Sequence, residues 1–294
     1  MERGLVAERP AVTPGRRRAT HLRWTETLVV AFLVVIAAVF VLPFAWLILT
    51  ALKDTAQMGA YPIQVLPRPV RWDNFYEALT LIDYAKYTRN TFVLAALYTV
   101  LVTITSAMAG FGFARVPGAG KRVVFIVMLS TMMLPPIITT IPTYILFSRI
   151  GLIYNYWPWV LWGLGGSAFL SFLFRQFFAA IPAELEDAAI VDGCGYWRIF
   201  GQIFVPLSKP VIAVSVIFSF QWVWGDWFNP SIFLSIDNTT LAVAMSSGYS
   251  TPQGQPLVNV LAAGVCLYTL PVFVLFFLAQ RYFVQGIVTT GLKG

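Results

Sequence analysis

The sequence predicts an all-α integral membrane protein with six transmembrane helices and both termini on the cytoplasmic side. Three observations predict it. Of 294 residues, 58% are apolar and 11% charged, against roughly 25% charge in an ordinary soluble domain. Six apolar segments reach the about 20 residues that cross a ~30 Å hydrocarbon core. Fourteen of the 20 Lys and Arg residues fall on one side of those segments, the bias that cytoplasmic loops carry. The same bias accounts for the net charge of +7 without invoking nucleic acid.

Residues 1–26 form a basic tail with Arg16, Arg17 and Arg18 in a row. The apolar run after it is too long for a signal peptide and is followed by no small-x-small cleavage site, so it reads as an uncleaved first span. The spans within the membrane domain, 27–294, are Thr27 to Thr50, Thr91 to Ala114, Val123 to Leu146, Trp157 to Phe178, Val211 to Leu234 and Leu257 to Leu278. The cytoplasmic set of basic residues comprises the tail, Arg115, Lys121 and Arg122, then Arg175, Arg198 and Lys209, and finally Arg281 and Lys293. Between the first two spans, Ala51 to Arg89 carries Pro62, Pro67 and Pro69, which predict an extended path with one short helix from Asn74 to Leu79. The other exterior loop, Ile236 to Pro256, is rich in Ser and Gly and reads either as a mobile solvated connector or as an arm that reaches a partner or the pore mouth.

Pro135 and Pro136 sit in mid-span, with Pro142 beyond them. Proline at membrane depth frees carbonyls that protein or cavity water must satisfy, so this helix is expected to break against neighbours rather than face lipid, either for packing or to line a path. The fifth span contains Gln221, Trp222, Trp224, Asp226, Trp227 and Asn229. A carboxylate at membrane depth costs about 2.5 to 3.5 kcal/mol on insertion scales, so Asp226 must face protein or water. The tryptophans are an interfacial belt and packing group, or stacking faces for a sugar. Gln221, Trp224, Asp226 and Asn229 are accordingly the candidates for a substrate path.

The longest folded polar interruption is Ile181 to Pro210. Pro182 suits a first helical position, and Glu184, Glu186 and Asp187 follow in the first turns, where the helix dipole favours acids. Gly193 is a left-handed stop. Tyr196, Ile199, Phe200 and Ile203 then form a second apolar stripe, closed by Pro206 and Pro210. The prediction is helix, glycine turn, helix.

No catalytic constellation emerges. Gly118-Ala119-Gly120-Lys121-Arg122 resembles the end of a phosphate-binding loop, but Arg115 stands where the motif needs Gly and Arg122 where it needs Ser or Thr. Gly163 to Gly166 lies inside a span and suits close helix packing. His21 is the single histidine. Cys194 and Cys266 lie on segments of opposite kind, which argues against a disulfide or a metal site.

The run Glu186-Asp187-Ala188-Ala189-x-x-Asp192-Gly193, with Phe200 and Pro206 downstream, resembles the EAA loop of the permease subunits of bacterial ABC importers. Thr50-Ala51-Leu52-Lys53, Asn90-Thr91, Pro135, Ile141-Pro142, the Gln280-Arg281-Tyr282-Phe283-x-x-Gly286 run and the closing Gly291-x-Lys293-Gly294 are similar to the MalG-like branch, which serves carbohydrate uptake. The resemblance implies a type I importer permease fold in the bacterial cytoplasmic (inner) membrane. The implied partners are a MalF-like second permease, two copies of a cytoplasmic ATPase and an extracellular substrate-binding protein. ATP and Mg are then expected in the ATPase, with no cofactor bound by this chain. Glu186, Asp187, Ala188, Ala189, Asp192, Gly193 and Phe200 are the implied ATPase-coupling residues, with Asp187 standing where the family has Glu. Gly225 stands where the family usually has Asn after the tryptophan. The competing reading is an ion-coupled secondary transporter or channel, against which stand the absence of an internal repeat and of mid-membrane acids other than Asp226.

Overall fold

The computed structural model describes the backbone of residues 18–291 and the side chains of 24–278 and of 280. Most of the basic tail, and the side chains of the motif residues from Arg281 to Gly294, lie outside the described residues. Among the described residues the regular elements are helical: α1 (Arg18–Ala51), α2 (Thr55–Met58), α3 (Asp73–Thr80), α4 (Tyr84–Ala114), α5 (Lys121–Ser130), α6 (Pro136–Arg149), α7 (Trp157–Gly165), α8 (Ala168–Ala179), α9 (Glu184–Val191), α10 (Tyr196–Ile199), α11 (Val205–Leu207), α12 (Lys209–Trp224), α13 (Phe228–Phe233), α14 (Leu241–Gly248) and α15 (Val258–Gly291). Within them, four helical stretches are long and apolar enough to cross a membrane, or six if two bent pairs each make one crossing.

Helix α4 is the axis of the molecule, packed against α7, α8 and α12. Small residues permit the approach. A Cβ on Gly110 of α4 would lie 2.5 Å from the Phe174 Cβ and 2.9 Å from the Arg175 amide nitrogen on α8. A Cβ on Gly163 of α7 would meet the Leu101 Cβ at 2.8 Å. This is the close helix packing that the glycine run predicts. Hydroxyls join the same helices: Thr103 on α4 and Ser215 on α12 lie 3.0 Å apart. Three apolar clusters are strung along α4, around Tyr84, around Leu94 and Ala95, and around Ala107 and Phe111. Helix α1 packs along α15, and none of its most apolar window is buried.

Three spans differ from expectation, each for a local reason. The crossing expected as Val123 to Leu146 is bent by 99° between Lys121–Met133 and Pro136–Arg149. Leu134 is extended, and Pro135, which lacks an N–H, precedes the new helix. Contrary to expectation this break is not buried against neighbours within the chain: Met133 is 83% and Ile141 69% exposed. The crossing expected as continuous from Trp157 to Phe178 is interrupted at Gly166, whose φ of 73° ends α7. Hydroxyls of α4 satisfy the gap, with Thr105 Oγ1 donating to the Gly163 carbonyl at 2.8 Å and Ser106 Oγ accepting from the Ser167 N–H at 2.9 Å. The fifth crossing, expected to run to Leu234, ends at Trp224; Gly225 closes α12, and Phe228–Phe233 is a separate short helix.

The segment between the first two spans holds the expected short helix, α3, but α4 begins at Tyr84, several residues before the predicted start of the second span. The Ile236 to Pro256 loop is not a bare connector. Leu241 and Met245 bury the inner face of α14 in the cluster around Tyr84, and Ala244 beside them is buried as well. Tyr249 donates a 2.6 Å hydrogen bond to the Ala78 carbonyl, and burial pushes its phenol well above the ordinary tyrosine range, so it acts as a neutral donor.

Candidate functional site

The polar loop folds as helix, glycine turn, helix. Helix α9 places Glu184, Glu186 and Asp187 in its first turn. Gly193, at φ 79°, turns the chain, and the Cys194 N–H returns to the Ala189 carbonyl at 2.9 Å. Helix α10 continues into a wider π-helical stretch, Phe200–Phe204, where the Val205 N–H reaches back to the Phe200 carbonyl. Helix α11 follows, and α12 leaves at 82° to the Tyr196–Leu207 segment. Ser208 at this elbow is fully buried, and its Oγ donates to the Phe204 carbonyl at 2.6 Å.

The loop is seated on an aromatic bed. Ile199, Phe204 and Ala189 pack with Phe111 of α4 and Phe174 and Phe178 of α8. The Phe111 and Phe204 rings meet edge to face with centroids 5.0 Å apart, and the Phe178 and Phe204 rings at 5.6 Å. At the edge of this bed stands Arg115, the residue that closes α4. Its guanidinium donates to the Phe178 carbonyl at 3.2 and 2.7 Å and to the Ile181 carbonyl, and lies 5.2 Å over the Phe204 ring. It also pairs with Glu186 at 3.5 Å, each side chain about a tenth exposed. Arg115 therefore binds the ends of α4 and α8, the start of α9 and the π-helical stretch in one place. Sequence reasoning counted it among the cytoplasmic-set cations and as the residue that breaks the phosphate-loop pattern; nothing local in Phe113-Ala114-Arg115 marks it as the partner of Glu186.

The loop's candidate residues divide between two faces. Glu186 and Ala189 point inward, and Phe200 is half-buried against Phe111 at 5.2 Å. Asp187, Ala188, Asp192 and Gly193 point outward. The outer face also shows large apolar side chains, with Val191 86% and Trp197 74% exposed. Two carboxylates beside an apolar ridge suit a protein surface offering a cation and a groove.

At the other end of α12, the substrate-path candidates are not equivalent. Trp224 is buried; its ring stacks on Phe220 and Tyr268 at centroid distances of 5.3 and 5.4 Å, and its Nε1 donates to the Tyr268 carbonyl at 3.1 Å. Asp226 is half-buried and accepts from the Asn229 N–H at 3.1 Å and from Asn229 Nδ2 at 2.7 Å. Gln221, Trp222 and Trp227 are exposed, and Trp227 Nε1 donates to Ser246 Oγ at 2.8 Å. Asp226 thus meets its polar demand through Asn229, and Trp227 ties this turn to α14. Among the described residues no group of three or more His, Cys, Asp or Glu side chains is placed to hold a metal.

Known proteins fit this arrangement. Residues 103–289 match the family described as binding-protein-dependent transport system inner membrane component. The chain is 30% identical over 283 residues to the probable ABC transporter permease protein YurM of Bacillus subtilis (strain 168), covering 95% of this chain and 91% of that one. It is 34% identical over 224 residues to the maltodextrin transport system permease protein MdxG of the same organism, covering 76% and 80%. With the lactose transport system permease protein LacG of Rhizobium radiobacter the identity is 31% over 275 residues, covering 92% and 98%. In fold, the chain is similar to a chain from the crystal structure of a bacterial ABC transporter involved in the import of the acidic polysaccharide alginate. The TM-score is 0.76 at 20% identity, covering 92% of this chain and 100% of that one. With α7, α8 and α12 packed around α4, a loop presented at one end and a family match that takes in both, the chain belongs to the binding-protein-dependent inner membrane components of ABC transporters.

Proposed function

We propose that this chain is the non-catalytic permease subunit of an ATP-driven importer for a sugar or sugar derivative. In this reading the 181–210 loop is cytoplasmic, as are both termini, and docks on an ATPase that binds ATP and Mg. A second, MalF-like permease completes the translocation path, and an external binding protein delivers substrate. The sugar assignment draws on the maltodextrin and lactose permeases among the relatives.

The observation that carries the reading is the two-faced loop. Its inner face is fixed to α4 and α8 through Arg115 and the phenylalanine bed, while Asp187, Asp192, Val191 and Trp197 are left outward. A coil would absorb a partner's displacement; a seated loop passes it to the membrane helices. A second observation supports a permease partner. Irregular backbone does not face lipid, so the exposed Pro135 break calls for protein or a water-filled cavity beside it. Gln221, Asp226 and Asn229 are the groups proposed for the path, with Trp224 supporting them from behind.

The test is isolation of the tagged full chain from its native membrane, with uptake measured in the same system. Co-isolation of an ATPase and a second permease, with ATP-dependent sugar uptake, is the expected result. Uptake by the chain without any ATPase, or unchanged ATP-driven uptake in an Asp187→Arg, Gly193→Pro double variant, would sink the proposal.

A further inference from the structure

A second site lies beside the loop, on the flank of α5. A cavity of about 420 Å³ opens between α4, α5 and α8, lined by Phe113, Lys121, Arg122, Phe125, Ile126 and Arg175. Three of its six lining residues are cations. Among the described residues the ion pairs are Arg71 with Asp73 and Arg115 with Glu186, so no carboxylate stands within pairing distance of these three. The Arg175 guanidinium lies 4.3 Å over the Phe125 ring, which fixes the planar group by its face and leaves its edge N–H donors free. Phe125 is itself held between Phe113, at 5.2 Å, and Phe172, at 6.4 Å. Lys121 Nζ donates to the Val116 carbonyl at 2.8 Å, which steadies the ammonium at the rim with donors to spare.

The surroundings define the occupant. Away from the cations the wall continues as the outer face of α5, where Val123 is 64%, Val124 58% and Val127 59% exposed. A ligand filling both parts must be anionic at one end and a long hydrocarbon at the other. We propose that this cavity binds the phosphate headgroup of an anionic phospholipid, such as phosphatidylglycerol, from the leaflet on the loop side, with an acyl chain lying along α5. Charge and position agree, because basic pockets between transmembrane helices on the cytoplasmic side accept such headgroups. Arg122 and Arg175 supply charge-assisted donors to the phosphate, and Lys121 adds a point charge. The inference rests on the cytoplasmic placement of the loop. Arg175 lies on α8 four residues before that helix ends and the chain enters the loop, so an occupied cavity stiffens the seat of the loop.

The experiment is native mass spectrometry of the full chain in detergent, with phosphatidylglycerol and phosphatidylcholine of identical acyl chains added in parallel. The expected result is preferential retention of phosphatidylglycerol, falling roughly tenfold in an Arg122→Gln, Arg175→Gln variant. Arg122→Lys is expected to keep the preference, and circular dichroism of the double variant is expected to keep the helical signal. Lys121 is left intact because it also holds a carbonyl. Equal retention of the two lipids, an undiminished preference in the double variant, or displacement of the lipid by millimolar inorganic phosphate would overturn the proposal. So would loss of the preference on co-isolation with a second permease, which would assign the cavity to a protein interface. None of these readouts requires transport, so their failure is separable from failure of the importer reading.

Discussion

Arg115 and Glu186, 71 positions apart in the chain, meet at 3.5 Å where the membrane helices give way to the polar loop. The pair is nearly closed to solvent, and the same guanidinium caps the Phe178 carbonyl at the end of α8. Removing one member of such a pair leaves an uncompensated charge, a loss on the order of 3 kcal/mol. Arg115→Ala is expected to lower the thermal midpoint of the purified chain clearly. Glu186→Gln, which leaves the carbonyl contacts in place, should lower it less. Arg115→Lys should not restore the parent, since an ammonium does not reproduce the planar fork.

Gly110 and Gly112 offer a paired test of packing. A methyl on Gly110 runs into α8 backbone and Phe174, whereas one on Gly112 meets nothing within 4 Å. Gly110→Ala is expected to destabilise by about 1–3 kcal/mol. Gly112→Ala is expected to be neutral or slightly stabilising through helix propensity. Thermal unfolding of both variants side by side reads the difference, and equal midpoints would refute the α4–α8 contact.

At Gly193 the backbone holds φ at 79° with open space around it, so the cost of a side chain there is conformational rather than steric. Gly193→Ala is expected to cost about 1 kcal/mol or slightly more, and Gly193→Asn less, since asparagine tolerates the left-handed region. Limited proteolysis of the 181–210 loop should follow the same order.

Trp197 separates folding from docking. It is 74% exposed and belongs to none of the buried clusters. Trp197→Ala should leave the thermal midpoint of the isolated chain within about 0.5 kcal/mol of the parent, yet weaken retention of the partner ATPase several-fold. Asp187→Asn should behave alike, whereas Asp187→Glu should retain the ATPase. A Trp197→Ala chain that binds its ATPase normally would remove the outer ridge from the docking surface.

At the other end of α4, Tyr249 joins α14 to α3 by one 2.6 Å hydrogen bond. Tyr249→Phe should cost about 1 kcal/mol, measured as faster hydrogen exchange across 241–249.

The composition, the apolar segments and the proline positions made the helical membrane class and the broken third crossing legible, because each is a local property. The loop was legible for the same reason: acids in a first turn, a glycine stop and an apolar stripe all lie within thirty residues. What escaped was long-range. Arg115 looked like one cation among many, and only the fold brings it to Glu186. The burial of α14 escaped because Ser246, Ser247 and Gly248 suggest a solvated turn, while Leu241 and Met245 find their apolar partners on α3, α4 and α15. The break at Gly166 was read as packing alone, because the hydroxyls that satisfy it, on Thr105 and Ser106, lie sixty residues earlier. The division of the fifth crossing at Gly225 is the one miss with a nearby signal, since glycine followed by an acid is a poor helix interior.

The elbow at Ser208 has a mechanical consequence. Because the Tyr196–Leu207 segment meets α12 at 82°, the proposed importer has in these two the geometry of a crank, in which torque applied to the short arm would sweep the long one. Helix α12 has 16 residues, roughly 24 Å at 1.5 Å per residue. A rotation of about 10° at the elbow would carry the Trp224 end through about 4 Å, comparable to the width of a pyranose ring, with no change in either arm's internal geometry. The buried Ser208 hydroxyl and the Phe204 carbonyl form the bearing of that crank, so a Ser208→Ala substitution loosens the fulcrum while leaving both arms intact.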